Sequence, residues 1–253
     1  MTISHITTLS HKEKEDIRLI SDQCRLRDGI SLSCPEDGDE FWLLEEKGCL
    51  AALIAVYTTE DSLWECYAFT RPDCRQRGYF TALAHELCAY SEACGEPDLC
   101  FITDNRCPAA LAALHSLGAE LSWEEHMMEY VIPADPQDMP LAGGREALTL
   151  RVEPGDPYSV SAWEPGYAGR EEACVSCCLS LRGDSAYLYG LSTDPALRRR
   201  GFASRFLVQL LPVLSDLGCS LLRLQVSGSN KAAMALYAKT GFRITETLSY
   251  YLY

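Results

Sequence analysis

The chain has 253 residues, with 47% apolar and 23% charged residues, the composition of a globular protein of one large or two small domains. Its net charge is −14, spread unevenly: residues 1–140 hold 26 acids and 10 Lys/Arg, whereas residues 141–253 hold 10 acids and 12 Lys/Arg. An acidic chain without basic clusters is a poor ligand for phosphate backbones, so a nucleic-acid partner is not expected.

In chain order, Ser10–Cys24 reads as a helix, with Ile17 and Ile20 among its apolar positions. Glu40–Glu45 and Cys49–Tyr57 read as a hairpin about Lys47-Gly48, and Leu63–Phe69 as the next strand. Tyr79–Ala93 is a central helix, Leu99–Thr103 a strand, Pro108–Leu117 a helix and Met127–Ile132 a closing strand. The stretch 133–144 is rich in Pro and Gly, poor in apolar pattern, and reads as a linker. Beyond it, Leu148–Val152 and Tyr158–Trp163 read as strands, and Ala173–Leu181 with Ala186–Leu191 as a hairpin across Arg182-Gly-Asp-Ser. Phe202–Leu217 has apolar residues at helical spacing, interrupted by Pro212, and Gly218 stops it. Leu221–Val226 is a strand and Asn230–Lys239 a short helix. Phe242–Thr245 and Leu248–Tyr253 are closing strands.

The chain repeats itself. Thr70-Arg-Pro-Asp-Cys-Arg75-Gln-Arg77-Gly78-Tyr79 aligns without gaps on Thr193-Asp-Pro-Ala-Leu-Arg198-Arg-Arg200-Gly201-Phe202, at an offset of 123. Gly118 falls opposite Gly241 at the same offset. One offset held over some 50 residues implies two copies of one fold. The second copy has little room between Leu148 and Ala173 for the helices that the first copy fits before its hairpin.

The second copy carries the more suggestive turn. A strand ends at Leu191, Arg198-Arg-Arg-Gly201-Phe202-Ala203-Ser204 follows, and a helix opens. Free amides at a helix N-terminus, the helix dipole, a glycine that admits close approach and three arginines together suit a pyrophosphate. A basic run before a helix is by itself an ordinary solvated turn. Downstream, however, Asn230 and Tyr237 lie seven apart, two helical turns, and Gly241-Phe242 follows.

This ensemble, Leu191-Ser-Thr-Asp-Pro-x-x-Arg198-x-x-Gly201-x-Ala203 with Asn230…Tyr237…Gly241-Phe242, resembles the GNAT superfamily of N-acetyltransferases. The resemblance is best over residues 173–253. It implies an α/β (α+β) fold: two tandem GNAT-like domains, each a mixed twisted sheet flanked by helices. The expected limits are 1–132 for a degenerate first domain, 133–144 for the linker and 145–253 for a catalytic second domain.

The resemblance further implies acetyl-CoA as cosubstrate. Its pantetheine arm would pair with the main chain of Leu191, Ser192 and Thr193, and its pyrophosphate would meet Arg198, Arg199, Arg200, Gly201, Phe202, Ala203 and Ser204. Asn230 would stand near the cofactor, and Tyr237 would be the general acid that protonates the leaving thiolate. A phenol of ordinary pKa about 10 suits that exchange. Direct attack by the acceptor amine is implied, with no covalent enzyme intermediate.

Glu164, Glu171 and Glu172 are candidate bases. The acceptor is a small-molecule or peptide amine: an amino acid, a polyamine or a protein N-terminus. The acidic first half could attract a cationic one, the alternative being a merely solvated acidic surface. The alternative is a non-catalytic acyl-CoA-binding regulatory module, and aminoacyl transfer from tRNA is disfavoured by the missing basic surface.

In the first copy Phe80 stands where the second has Ala203, Leu114 where it has Tyr237, and Cys107 where it has Asn230. The thiolate-protonating phenol therefore has no counterpart, and His115 beside Leu114 reads as a packing or surface residue. No apolar run is long enough to span a bilayer, and no basic-then-apolar leader opens the sequence, so no membrane partner and a cytoplasmic location are expected. Thirteen cysteines, an odd number, read as reduced core thiols. Cys174 and Cys177 form the only C-x-x-C, in a strand-like run that points residues three apart to opposite faces, so no metal site is expected.

Overall fold

The computed structural model describes residues 1–60, 62–140, 147–165 and 173–253. The chain divides into two compact units: residues 1–124 with 246–253, and residues 125–245.

The first unit contains β1 (Thr2–Ile6), α1 (His11–Asp28), β2 (Glu40–Glu46), β3 (Cys49–Glu60), β4 (Leu63–Thr70), α2 (Tyr79–Ala93), β5 (Asp98–Asp104) and α3 (Pro108–Leu117). Ser10 starts α1 with a capping box: its hydroxyl accepts from the Glu13 amide at 3.3 Å, and its own amide donates to Glu13 Oε2 at 2.6 Å. Gly29, at φ +67°, ends that helix. The sheet runs β1-β2-β3-β4-β5, antiparallel except for the β4–β5 pair.

Why β2 and β3 read as unbroken apolar runs is plain from their two covers. Phe41, Leu43 and Leu53 pack with Ile17 and Ile20 of α1. Trp42, Leu44 and Ile54 pack on the opposite face with Leu83 and Leu87 of α2. A sheet buried on both faces has no polar alternation to show.

The second unit contains β6 (Glu120–Val131), β7 (Thr149–Glu153), β8 (Tyr158–Trp163), β9 (Val175–Arg182), β10 (Ser185–Thr193), α4 (Phe202–Asp216), β11 (Leu221–Ser227) and α5 (Lys231–Lys239). The last strand, β12, is Arg243–Leu252. The second unit's sheet runs β6-β11-β10-β9-β8-β7, and β10–β11 is its parallel pair. Four residues join β7 to β8 where the first unit inserts α1 between β1 and β2. That missing helix explains β9: Val175, Cys177 and Leu179 are buried, while the alternate residues remain partly exposed. The buried face meets Phe206, Leu207, Leu210 and Leu214 of α4. Pro212 sits within α4 without ending it.

The closing strands depart from expectation. The segment read as closing the first copy lies in β6, whose Glu125–Val131 pair antiparallel with Ser227–Leu221 of β11. The first unit is closed by the chain's end instead: Leu248–Leu252 of β12 pair with Asp104–Cys100 of β5. The two expected strands 242–245 and 248–253 are one strand. Each unit therefore takes its last strand from the other half of the sequence. The unit boundaries fall inside β6 and β12, not at the 133–144 linker.

In the second unit this borrowed strand packs tightly. Tyr130 of β6 stacks obliquely on Phe242, ring centres 5.6 Å apart. A Cβ on Gly241 would lie 2.9 Å from Tyr130 Cε2, at a backbone φ of +96°. Both the φ and the ring demand glycine. Gly241→Ala is expected to destabilise the second unit by ~1–3 kcal/mol, read as a lower urea midpoint.

Candidate functional site

In the second unit β10 and β11 part company. Their parallel pairing runs from Ser185–Leu221 to Tyr187–Arg223 and stops. β10 continues to Thr193 along β9, with a bulge between Tyr189 and Ser192 and Gly190 at φ +63°. Bulges bend and re-aim a strand. Leu191, Ser192 and Thr193 thus lie beyond the last pair with β11, where the main chain can accept an added strand.

The turn after β10 is built residue by residue. Asp194 caps a short 3-10 turn, Pro195–Leu197, its carboxylate accepting from the Ala196 amide at 2.8 Å. Arg198 Nε donates to the Thr193 carbonyl at 3.3 Å and ties the turn to its own strand. Arg199 takes φ +62° and Gly201 φ +84°. Gly201 is the N-cap of α4 and offers no side-chain cap, so the amides of Phe202, Ala203 and Ser204 at the first turn have no side-chain acceptor there.

The three arginines are not equivalent. All three are exposed, but Arg200 leans over the Phe202 ring at 5.7 Å. The Phe202 ring itself is buried in the core, so Phe202 has only its amide to offer a ligand. Arg205, which sequence reasoning missed, is buried and covers that ring from 4.7 Å. Its Nη2 lies 3.8 Å from Glu164 Oε1. Its signal was an arginine among the apolar positions of α4. Of the candidate bases, Glu164 is thus the partner of a buried guanidinium; Glu171 and Glu172 lie outside the described residues.

Asn230 is not on a helix face with Tyr237. It is the N-cap of α5, and its Oδ1 accepts from the Ala233 amide at 3.1 Å. This corrects the two-turn reading, because an N-cap has non-helical backbone. Tyr237 is buried, its ring 5.6 Å from Phe242. Burial, then the nearby Cys177, pushes its phenol above the ordinary value. A phenol shifted that way stays protonated at neutral pH and can donate.

The first unit repeats the turn. A 3-10 turn at Pro72–Cys74, Gln76 at φ +62°, Gly78 at φ +77° and α2 follow β4 in the same order, and Arg75 Nε donates to the Thr70 carbonyl at 3.4 Å. β4 and β5 also stop pairing, at Cys66–Phe101. What differs is the surroundings. Arg75 makes two hydrogen bonds to Asp28 of α1, at 2.8 and 2.6 Å, and a cavity of about 470 Å³ opens beside it.

Comparison with known proteins fits this geometry. Residues 123–242 match the model of the Acetyltransferase (GNAT) family. That region is a GNAT domain. The match begins within β6, not at 145, and stops at the start of β12, following the second unit.

Among curated relatives, a [Ribosomal protein bS18]-alanine N-acetyltransferase of Haemophilus ducreyi is 41% identical over 69 residues, 27% of this chain and 48% of the relative. The Escherichia coli protein of the same name is 39% identical over 59 residues, 23% of this chain and 40% of the relative. The chain thus spans about half or less of the length of these relatives.

Solved structures extend the likeness over both GNAT-like units. A GCN5-related N-acetyltransferase from Sphaerobacter thermophilus superposes with TM-score 0.75 at 14% identity, covering 99% of this chain and 95% of its own. A tandem GNAT protein from the clavulanic acid biosynthesis pathway gives 0.67 at 11% identity, covering 100% and 98%. At such identities the likeness is one of fold. No described helix is long and apolar enough to cross a membrane, and no three described His, Cys, Asp or Glu form a metal-binding group.

Proposed function

We propose that this chain is an N-acetyltransferase that moves an acetyl group from acetyl-CoA to a primary amine, with its chemistry in the second unit. The carrying observation is the parting of β10 from β11 after Tyr187, on a strand that leads into the uncapped N-terminus of α4. The pantetheine arm pairs with Leu191–Thr193 as an extra strand. The pyrophosphate lies on the amides of Arg199–Ser204, where the helix dipole favours an anion.

The amine attacks the thioester carbonyl carbon, and the C–S bond breaks as the tetrahedral centre collapses. Tyr237 gives its phenolic proton to the departing sulfur, and the proton lost by the amine passes to a base. Asn230, with its carbonyl engaged by α5, keeps its amide N–H groups for the cofactor. The acceptor is a small-molecule or peptide amine. An alanine amine of a ribosomal protein, the acceptor that the curated relatives' name gives, is the first to test. The setting is the cytoplasm.

Calorimetric titration of acetyl-CoA followed by a thiol-release assay over an amine panel tests this reading. Binding with turnover is expected. No binding sinks it, and binding without turnover on any amine leaves the regulatory alternative.

A further inference from the structure

The cavity in the first unit lies between the parted ends of β4 and β5, α2 and α3, and all its lining residues belong to that unit. At about 470 Å³ it has the size of a small-molecule site. Its walls are mostly carbon: Phe80, Phe101, Ile102, Leu114 and Leu117, with an alanine-rich face of α3.

The charges around it cancel. Arg75, the counterpart of Arg198, is bound through both terminal nitrogens by Asp28, a carboxylate only 9% exposed. Arg71 is held by Asp73 at 2.7 Å and Arg77 by Glu46 at 3.0 Å. Every arginine of this turn is therefore matched by a carboxylate, within a half of the chain that carries 26 acids against 10 Lys/Arg. Steric room is altered too. Phe80 fills the position of Ala203, its ring edge-on to Phe101 at 5.8 Å. Leu114 stands where the second unit has Tyr237, so that position offers no phenol.

We propose that this cavity binds an uncharged apolar molecule, and that it does not take a multiply phosphorylated cofactor. A pyrophosphate would meet neutralised arginines and a negative surrounding field, whereas an apolar body loses nothing to either and removes carbon surface from water. The buried thiols that border the cavity fit the same occupant. Burial raises Cys24 and Cys107 above the ordinary thiol range, which keeps them neutral. The inference is independent of turnover in the second unit.

The test uses the full chain carrying Gly201→Glu, so that the second unit's cofactor site is out of play. The neutral fluorophore N-phenyl-1-naphthylamine is titrated in. Saturable one-to-one binding with blue-shifted emission is expected, with displacement by decanol and none by millimolar acetyl-CoA. Ala113→Trp and the milder Ala110→Leu, which fill the cavity from α3, should each weaken binding at least tenfold while the circular dichroism spectrum is kept. Absence of saturable binding overturns the proposal, as does equal binding in both filled variants. Displacement by acetyl-CoA does so too, and would make the cavity an ordinary cofactor cleft.

Discussion

Tyr237→Phe is expected to lower kcat by about 10²–10⁴-fold, the usual worth of a positioned general acid, while the Kd for acetyl-CoA stays within about twofold. The ring packs on Phe242 in the core, and phenylalanine keeps that packing, so the fold should not move. Only the hydroxyl is lost, and with it the transferable proton. The pH profile carries the sign. Burial raises the phenol, so its acid form persists through neutral pH, and any loss of kcat from its ionisation should fall above about pH 10. A full-rate Phe variant would assign the acid elsewhere and leave Tyr237 as a core tyrosine.

Gly201→Glu is expected to weaken acetyl-CoA binding about 100-fold or more, because a carboxylate at the N-terminus of α4 opposes a pyrophosphate. Among the described residues, no atom beyond its chain neighbours lies within 4 Å of a Cβ built there, so the side chain projects into open space. The backbone at φ +84° costs about 1 kcal/mol for any non-glycine residue. Gly201→Ala separates the two effects, since it carries the same strain without the charge and should bind within a few-fold of the parent. Calorimetry on the three proteins reads the difference. If Gly78→Glu abolishes binding while Gly201→Glu does not, the cofactor belongs to the first unit.

Much of this was legible in the sequence because it is local. Tyr79–Ala93 and Pro108–Leu117 are the helices that their spacing predicts, and Arg198–Ser204 forms the strand–turn–helix junction expected of it. The 123-residue offset reappears as backbone geometry: Gln76 and Arg199 share φ +62°, and Gly118 and Gly241 lie at +90° and +96°. The misreadings are non-local. Nothing near Met127 says that its strand partners are Leu221–Ser227, almost a hundred residues on. Arg205 hides among apolar neighbours because its partner Glu164 is forty residues away. The cavity is bordered by Asp28 of α1 reaching Arg75, a contact between segments that periodicity reads separately. Asn230 was in register yet served the backbone, since spacing gives position and not which atom a side chain binds.

The crossed closing strands have a consequence for how this protein can change. A chain cut or truncated within 133–140 would leave each piece holding a strand of the other's sheet, so neither half is a module that duplication, loss or transplantation could move whole. Two copies of one fold usually drift apart freely. Here a substitution in β12 acts on the first sheet and one in β6 on the second, so the two halves must evolve together.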